Sequence, residues 1–223
     1  MQVSHADGRT GFLDALQQLR AAAAGLDDDQ LLATSRCRGW TAGDVLVHVH
    51  LGLQEMLLGV VTPTDRAADT DAASYWGRPA GQRSAAGPGG HMRFVRAVGA
   101  AYQRPTGIVA HLMPTVGALA AAVDALGEGV VATQGLAMRT GDFLACWALE
   151  LTVHHLDLAA ELTLPAPAPS ALGLTRTTVE ELAGGPLPWD DETAALIATG
   201  RVRPDDEQAA EAGPLADRLP VLG

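Results

Sequence analysis

The chain has 223 residues, 48% of them hydrophobic but only 4% aromatic, and a formal net charge of −11. That length suits one large domain, or one domain with a small appendage, and a core of alanine, leucine and valine suits close-packed helices. So acidic a surface excludes nucleic acid and anionic membrane as partners. Cys37 and Cys146 make no disulfide framework. The N-terminus has no signal-peptide core, and no apolar run reaches the roughly 18 residues of a membrane span. A cytoplasmic protein is expected.

In chain order, the spacing predicts a first helix over Thr10–Leu26. Phe12, Leu16, Leu19 and Ala23 form its apolar stripe and Thr10 its cap. Asp27-Asp28-Asp29 marks a turn or a fresh helix start. A loop through Cys37 leads to Trp40, and a second helix opens at Thr41, where Thr41 and Asp44 make a capping-box-like pair. Val45, Val49, Leu53, Met56 and Val60 follow at helical spacing until Pro63 stops the run. His48 and His50 point about 200° apart at roughly 100° per residue, so at most one of them faces any given site.

Residues Pro63 to Gly90 read as a long loop, a lid or simply mobile, with Tyr75 and Trp76 either anchoring it or lining a cleft. A third helical region runs from His91 to Leu126, with Pro105 and Pro114 as kinks or restarts. Val130–Met138 suggests a short extended excursion. A fourth helix opens at Thr140, with Asp142 in its first turn, and runs to Leu164. Pro165, Pro167 and Pro169 then form a stiff connector. Two short helices follow, near Ala171–Leu182 and Asp191–Thr199. The expected fold is therefore all-α: an up-down-up-down four-helix bundle over residues 1–164, with a small, mostly helical region, 165–223, packed on it.

The fourth helix carries Glu150-Leu-Thr-Val-His154-His155-Leu-Asp157 inside an otherwise apolar run. Residues four apart share a helical face, so Glu150 and His154 project together and Asp157 follows a turn later. Buried polar groups are costly unless paired or metal-bound. Bundles build ligand sites from inward side chains on facing helices. His48 of the second helix with Glu150 and His154 makes two imidazoles and one carboxylate, a set that leaves a position open on a divalent ion, as in catalytic zinc sites. Asp157 and Asp44 each lie a turn from a histidine ligand, where a carboxylate can orient the ring; Asp157 can alternatively reach the metal or the substrate. Cys146 falls on the same face, either as a fourth ligand or as a small buried hydrophobe. His5, His50, His91, His111 and His155 read as structural or solvated.

Cys37-Arg-Gly-Trp40-Thr-Ala-Gly-Asp44-Val-Leu-Val-His48 resembles a signature of the mycothiol-dependent maleylpyruvate isomerase family. Glu150-Leu-Thr-Val-His154-His-Leu-Asp157-Leu resembles that family's second signature, and Gly135–Phe143 has its look as well. The resemblance spans Phe12 to Leu164 and continues loosely into the tail. It implies a DinB-like bundle holding a divalent metal, commonly zinc, through His48, Glu150 and His154. It implies mycothiol, a small cysteine-containing pseudodisaccharide, as cosubstrate, and a small-molecule electrophile as substrate. The expected reaction is thiol-dependent isomerisation or thiol transfer, with Asp157 and Arg93 assisting; Arg78 and Arg83 are further candidates to hold a substrate carboxylate. The expected state is monomer or homodimer. The alternative is a non-enzymatic metal-binding bundle that senses a ligand or binds another protein.

Overall fold

A computed structural model of the chain describes residues 1–78 and 87–222. It is all-α apart from one hairpin, a four-helix bundle with further short helices after it. The bundle is made of α1 (His5–Ala24), α3 (Ala42–Val60), α6 (Gly107–Ala125) and α7 (Thr140–Leu158); α2 (Asp28–Leu31), α4 (Ala72–Trp76) and α5 (Gly87–Ala100) lie between them. Helix α1 starts at His5 rather than Thr10, because the Ser4 side chain accepts a hydrogen bond from the Asp7 N–H and caps it there. Its stripe is as expected, with Phe12, Leu16, Leu19 and Ala23 all buried. The acidic triplet begins α2 through a capping box of Asp27 with Gln30. The Thr41–Asp44 capping box opens α3.

The third helical region is two helices, not one. Pro105 separates α5 from α6, while Pro114 stays inside α6. This changes the direction of travel. His5 Nδ1 lies 2.8 Å from Thr140 Oγ1, and the Val3 N–H donates to Asp142 at 2.8 Å, so α1 and α7 start at the same end and run parallel. At the start of α6 the Thr106 N–H donates to Asp28, beside the start of α3, and at its end Asp124 pairs with Arg9 of α1. Helices α3 and α6 therefore run together, opposite to α1 and α7. The expected strict alternation gives way to up-down-down-up because α5 carries the chain back before α6 begins. Parallel α1 and α7 touch closely where Gly8 meets Gly141; a Cβ at either position would collide with the other segment's backbone.

Helix α6 is long and apolar enough to cross a membrane by length and composition, contrary to the sequence-level reading. Its buried residues Ile108, Leu112, Val116, Leu119 and Val123 recur every three to four positions and pack into the bundle core. The extended excursion is a hairpin of β1 (Val130–Thr133) and β2 (Leu136–Arg139), turned by Gln134 and Gly135, both at positive φ. Of the stretch expected as one long loop, residues 79–86 lie outside the described residues, and the rest is more ordered than that. Pro63 and Thr70 bridge to the hairpin, Asp71 caps α4, and Gly87–Gly90 opens α5.

After the proline connector come α8 (Pro169–Ala183), α9 (Asp191–Ala198) and α10 (Asp206–Ala212), then a 3-10 turn at Gly213–Arg218. The sequence reading did not include α10, whose start is an Asp205–Gln208 capping box. Val179, Leu187, Trp189, Ala194 and Ile197 form a second core against Leu149 and Val153 of α7. Covered by the bundle on one side and this region on the other, α7 buries 17 of its 19 residues. The two that escape are Trp147 and Glu150, and both open into the same cavity.

Candidate metal centre

Helix α7 brings Glu150 and His154 to one face, and α3 brings His48 opposite them. The His48 Nε2 lies 3.0 Å from Glu150 Oε1, and His154 Nε2 lies 3.2 Å from the same oxygen. Their ligand atoms all fall within 4.8 Å of one another. Donors held about 2.0–2.1 Å from one tetrahedral ion stand a little over 3 Å apart, so the spacing fits. His50, on the far side of α3, instead packs on His111.

The outer nitrogens sharpen the case. His154 Nδ1 lies 2.9 Å from Asp157 Oδ2, and a carboxylate there accepts the Nδ1 proton. A neutral His154 then presents the lone pair of Nε2 to a carboxylate oxygen, two acceptors face to face. Positive charge must sit between them, either a proton or a cation. With protons alone, burial would lower the His154 pKa, but the Glu150 charge and the bonds from Asp157, Cys37 and Glu150 outweigh it and raise it well above the ordinary imidazole range. Burial likewise pushes the Glu150 carboxyl up, yet the charge and hydrogen bonds of His154 and His48 hold it well below the usual carboxylate range. A divalent ion in place of that proton would satisfy the same three atoms, so the residues present fit a metal.

Asp157 is fully buried and anchors this end of the cavity. Its Oδ2 also accepts from Cys37 Sγ at 3.0 Å, and Arg201 grips both its oxygens, Nε at 3.2 Å and Nη2 at 3.3 Å. Burial opposes ionisation, but His154 and Arg201 prevail and hold Asp157 at about 2. Cys37, His154 and Asp157 form a second set within ligand reach. They are already bonded to one another, with a guanidinium on the carboxylate, which disfavours a cation there.

Not every expected partner arrives. Asp44 stays in its capping box, and His48 Nδ1 meets His91 Nε2 at 2.9 Å instead. His91, read from sequence as structural or solvated, is therefore part of the cluster; no local spacing links it to His48, 43 residues away. Burial and the neighbouring His48 ring lower its pKa. Cys146 is buried, bonds the Ala72 carbonyl and stays out of the ligand set. Arg93 is exposed on α5, and neither it nor Arg78 lines the cavity; Arg83 lies outside the described residues. The guanidinium at the site is that of Arg201, from beyond the bundle.

A cavity of about 620 Å³ opens beside the cluster. His48, His91, Glu150, His154 and Arg201 make one end, and Trp40, Tyr75, Trp76 and Trp147 wall the rest. Tyr75 and Trp76 thus line a cleft.

The family model described as the mycothiol maleylpyruvate isomerase N-terminal domain matches residues 12–159. Among solved structures, the chain is similar to the crystal structure of a histidine-to-alanine mutant of mycothiol-dependent maleylpyruvate isomerase, at 18% identity and a TM-score of 0.49, covering 80% of this chain and 68% of that one. No curated protein matches it in sequence. The matched span holds Trp40, His48, Glu150, His154 and Asp157 and stops short of Arg201, and with two thirds of its length so matched the chain belongs to the mycothiol maleylpyruvate isomerase N-terminal domain family.

Proposed function

We propose that this protein is a divalent-metal-dependent enzyme that uses mycothiol, or a similar low-molecular-weight thiol, to isomerise or add to a small electrophile. His48, Glu150 and His154 are the metal ligands, and zinc suits this nitrogen and oxygen set. The observation that carries the reading is the convergence of two Nε2 atoms and one carboxylate oxygen on the wall of an aromatic cavity. A zinc ion held there would acidify a thiol bound at its open position, giving thiolate at neutral pH.

The chain's own residues do the rest. Asp157 fixes the His154 tautomer and ring plane, and Arg201 keeps Asp157 ionised and in place. His91 performs the same service for His48, accepting the Nδ1 proton so that Nε2 points inward. The aromatic walls keep water from the electrophile and hold it beside the cluster. The adjoining cavity favours this reading over a metal-binding bundle that only binds another protein, which would have no need of one. Both cysteines are free, which suits a reducing cytoplasm.

Metal analysis of the purified chain tests the first half. One zinc per chain is expected, falling to background in His48→Ala and Glu150→Gln. Thiol consumption against a panel of unsaturated acids, aldehydes and epoxides tests the second. Metal bound with no thiol consumed on any member would leave the non-enzymatic reading.

A further inference from the structure

The far end of the cavity has a chemical character of its own. Gly52 of α3 faces the Trp147 indole, and a Cβ there would sit 3.2 Å from its ring. The missing side chain leaves room for the edge of that ring. Tyr75 and Trp76, which also line the cavity, meet edge to face, 5.0 Å apart at 89°. The Tyr75 hydroxyl donates to Gln134 Oε1 at 3.1 Å, and Gln134 Nε2 donates to Glu55 at 3.0 Å. That chain ends in a carboxylate, so it presents negative charge to an incoming anion.

Charge at the other end says the same. Among the described residues lining the cavity the guanidinium is Arg201, with Nε and Nη2 on Asp157 and Nη1 on the Thr199 carbonyl at 2.8 Å. A dicarboxylate needs guanidinium groups free to fork onto its oxygens. Here it would meet the Glu55 carboxylate, with the Arg201 guanidinium already engaged.

We infer that the electrophile of this site is an uncharged, flat, aromatic or conjugated molecule rather than a dicarboxylate such as maleylpyruvate, seated against Trp147, Tyr75 and Trp76. The inference rests on the thiol-dependent reading above. With a conjugated aldehyde, the thiol sulfur bonds to the β-carbon, the π pair shifts toward the carbonyl, and the thiol's proton ends on the α-carbon. No oxidant or reductant is required.

The test uses the zinc-loaded full chain with two activated alkenes, cinnamaldehyde and maleate. Calorimetry reads their binding, and loss of free mycothiol reads turnover. The expected result is binding of cinnamaldehyde and not maleate, with kcat/KM favouring cinnamaldehyde by at least about tenfold. Trp147→Ala and Gly52→Ala should raise the KM for cinnamaldehyde while leaving zinc content unchanged, because neither touches a ligand. Equal or faster consumption of maleate overturns the inference and leaves the thiol chemistry standing. Selective binding of cinnamaldehyde without thiol loss supports the cavity assignment and sinks the thiol chemistry. Failure of cinnamaldehyde to bind overturns it.

Discussion

The two ends of the cavity are built on opposite principles. At the histidine end, α3, α5, α7 and two loop segments each contribute a group, and nearly every polar atom is bonded to another: His91 to His48, His48 and His154 to Glu150, His154 and Cys37 to Asp157, Asp157 to Arg201. At the aromatic end, rings and a short Tyr75–Gln134–Glu55 chain make a wall with few polar demands. Buried polar networks fail when any one member is lost, whereas apolar walls lose only contact area. The first end should be intolerant of change and the second tolerant.

The largest break should come from Asp157→Ala. It strips a fully buried carboxylate from Arg201, His154 and Cys37 at once, and removing one partner of a buried pair costs about 3–5 kcal/mol. Urea unfolding should show that loss, with Asp157→Asn less affected. Acid attacks the same point. Asp157 has its pKa depressed from 3.8 to about 2 in the fold. The depressed value favours the native state above pH 4, and that contribution, about 2 kcal/mol, should fade as pH falls from 4 through 2. Acid titration of the metal-free protein reads it, and Asp157→Asn should flatten the profile there.

His91→Ala should act more gently and more selectively. Losing the partner that orients a ligand histidine weakens metal binding about tenfold to a hundredfold. Competition with a chelator measures it, and unfolding of the metal-free protein should hardly move. Smallest of all should be Tyr75→Phe at the aromatic end, where a single neutral hydrogen bond to Gln134 is worth under about 1 kcal/mol. If Tyr75→Phe cost as much as Asp157→Ala in the same unfolding assay, the contrast between the two ends would be wrong.

Much of this was legible in the chain. Helices α1 and α3, the cap at Thr41, a helix start at the Asp27–Asp29 triplet, and the pairing of Glu150 with His154 all follow from spacing within a few turns. Helical phase alone fixed that at most one of His48 and His50 faces the site. What escaped notice was contact made at long range. Arg201 reaches Asp157 across 44 residues, Cys37 reaches Asp157 across 120, and no periodicity encodes either. Arg93 looked well placed beside a loop, yet α5 turns it outward, and Arg201 occupies the site from outside the matched span.

The sequence by itself determined an all-helical chain, the faces its helices bury, and the acid–imidazole pair poised on one of them, because each depends on backbone geometry over three to seven residues. Only the tertiary structure decided that α6 would run alongside α3, that His91 would close on His48, and that the tail would lay a second core on α7 and put Arg201 against Asp157. Those outcomes depend on which surfaces meet after the chain has doubled back. That is settled by burying apolar area and pairing charge across the whole fold.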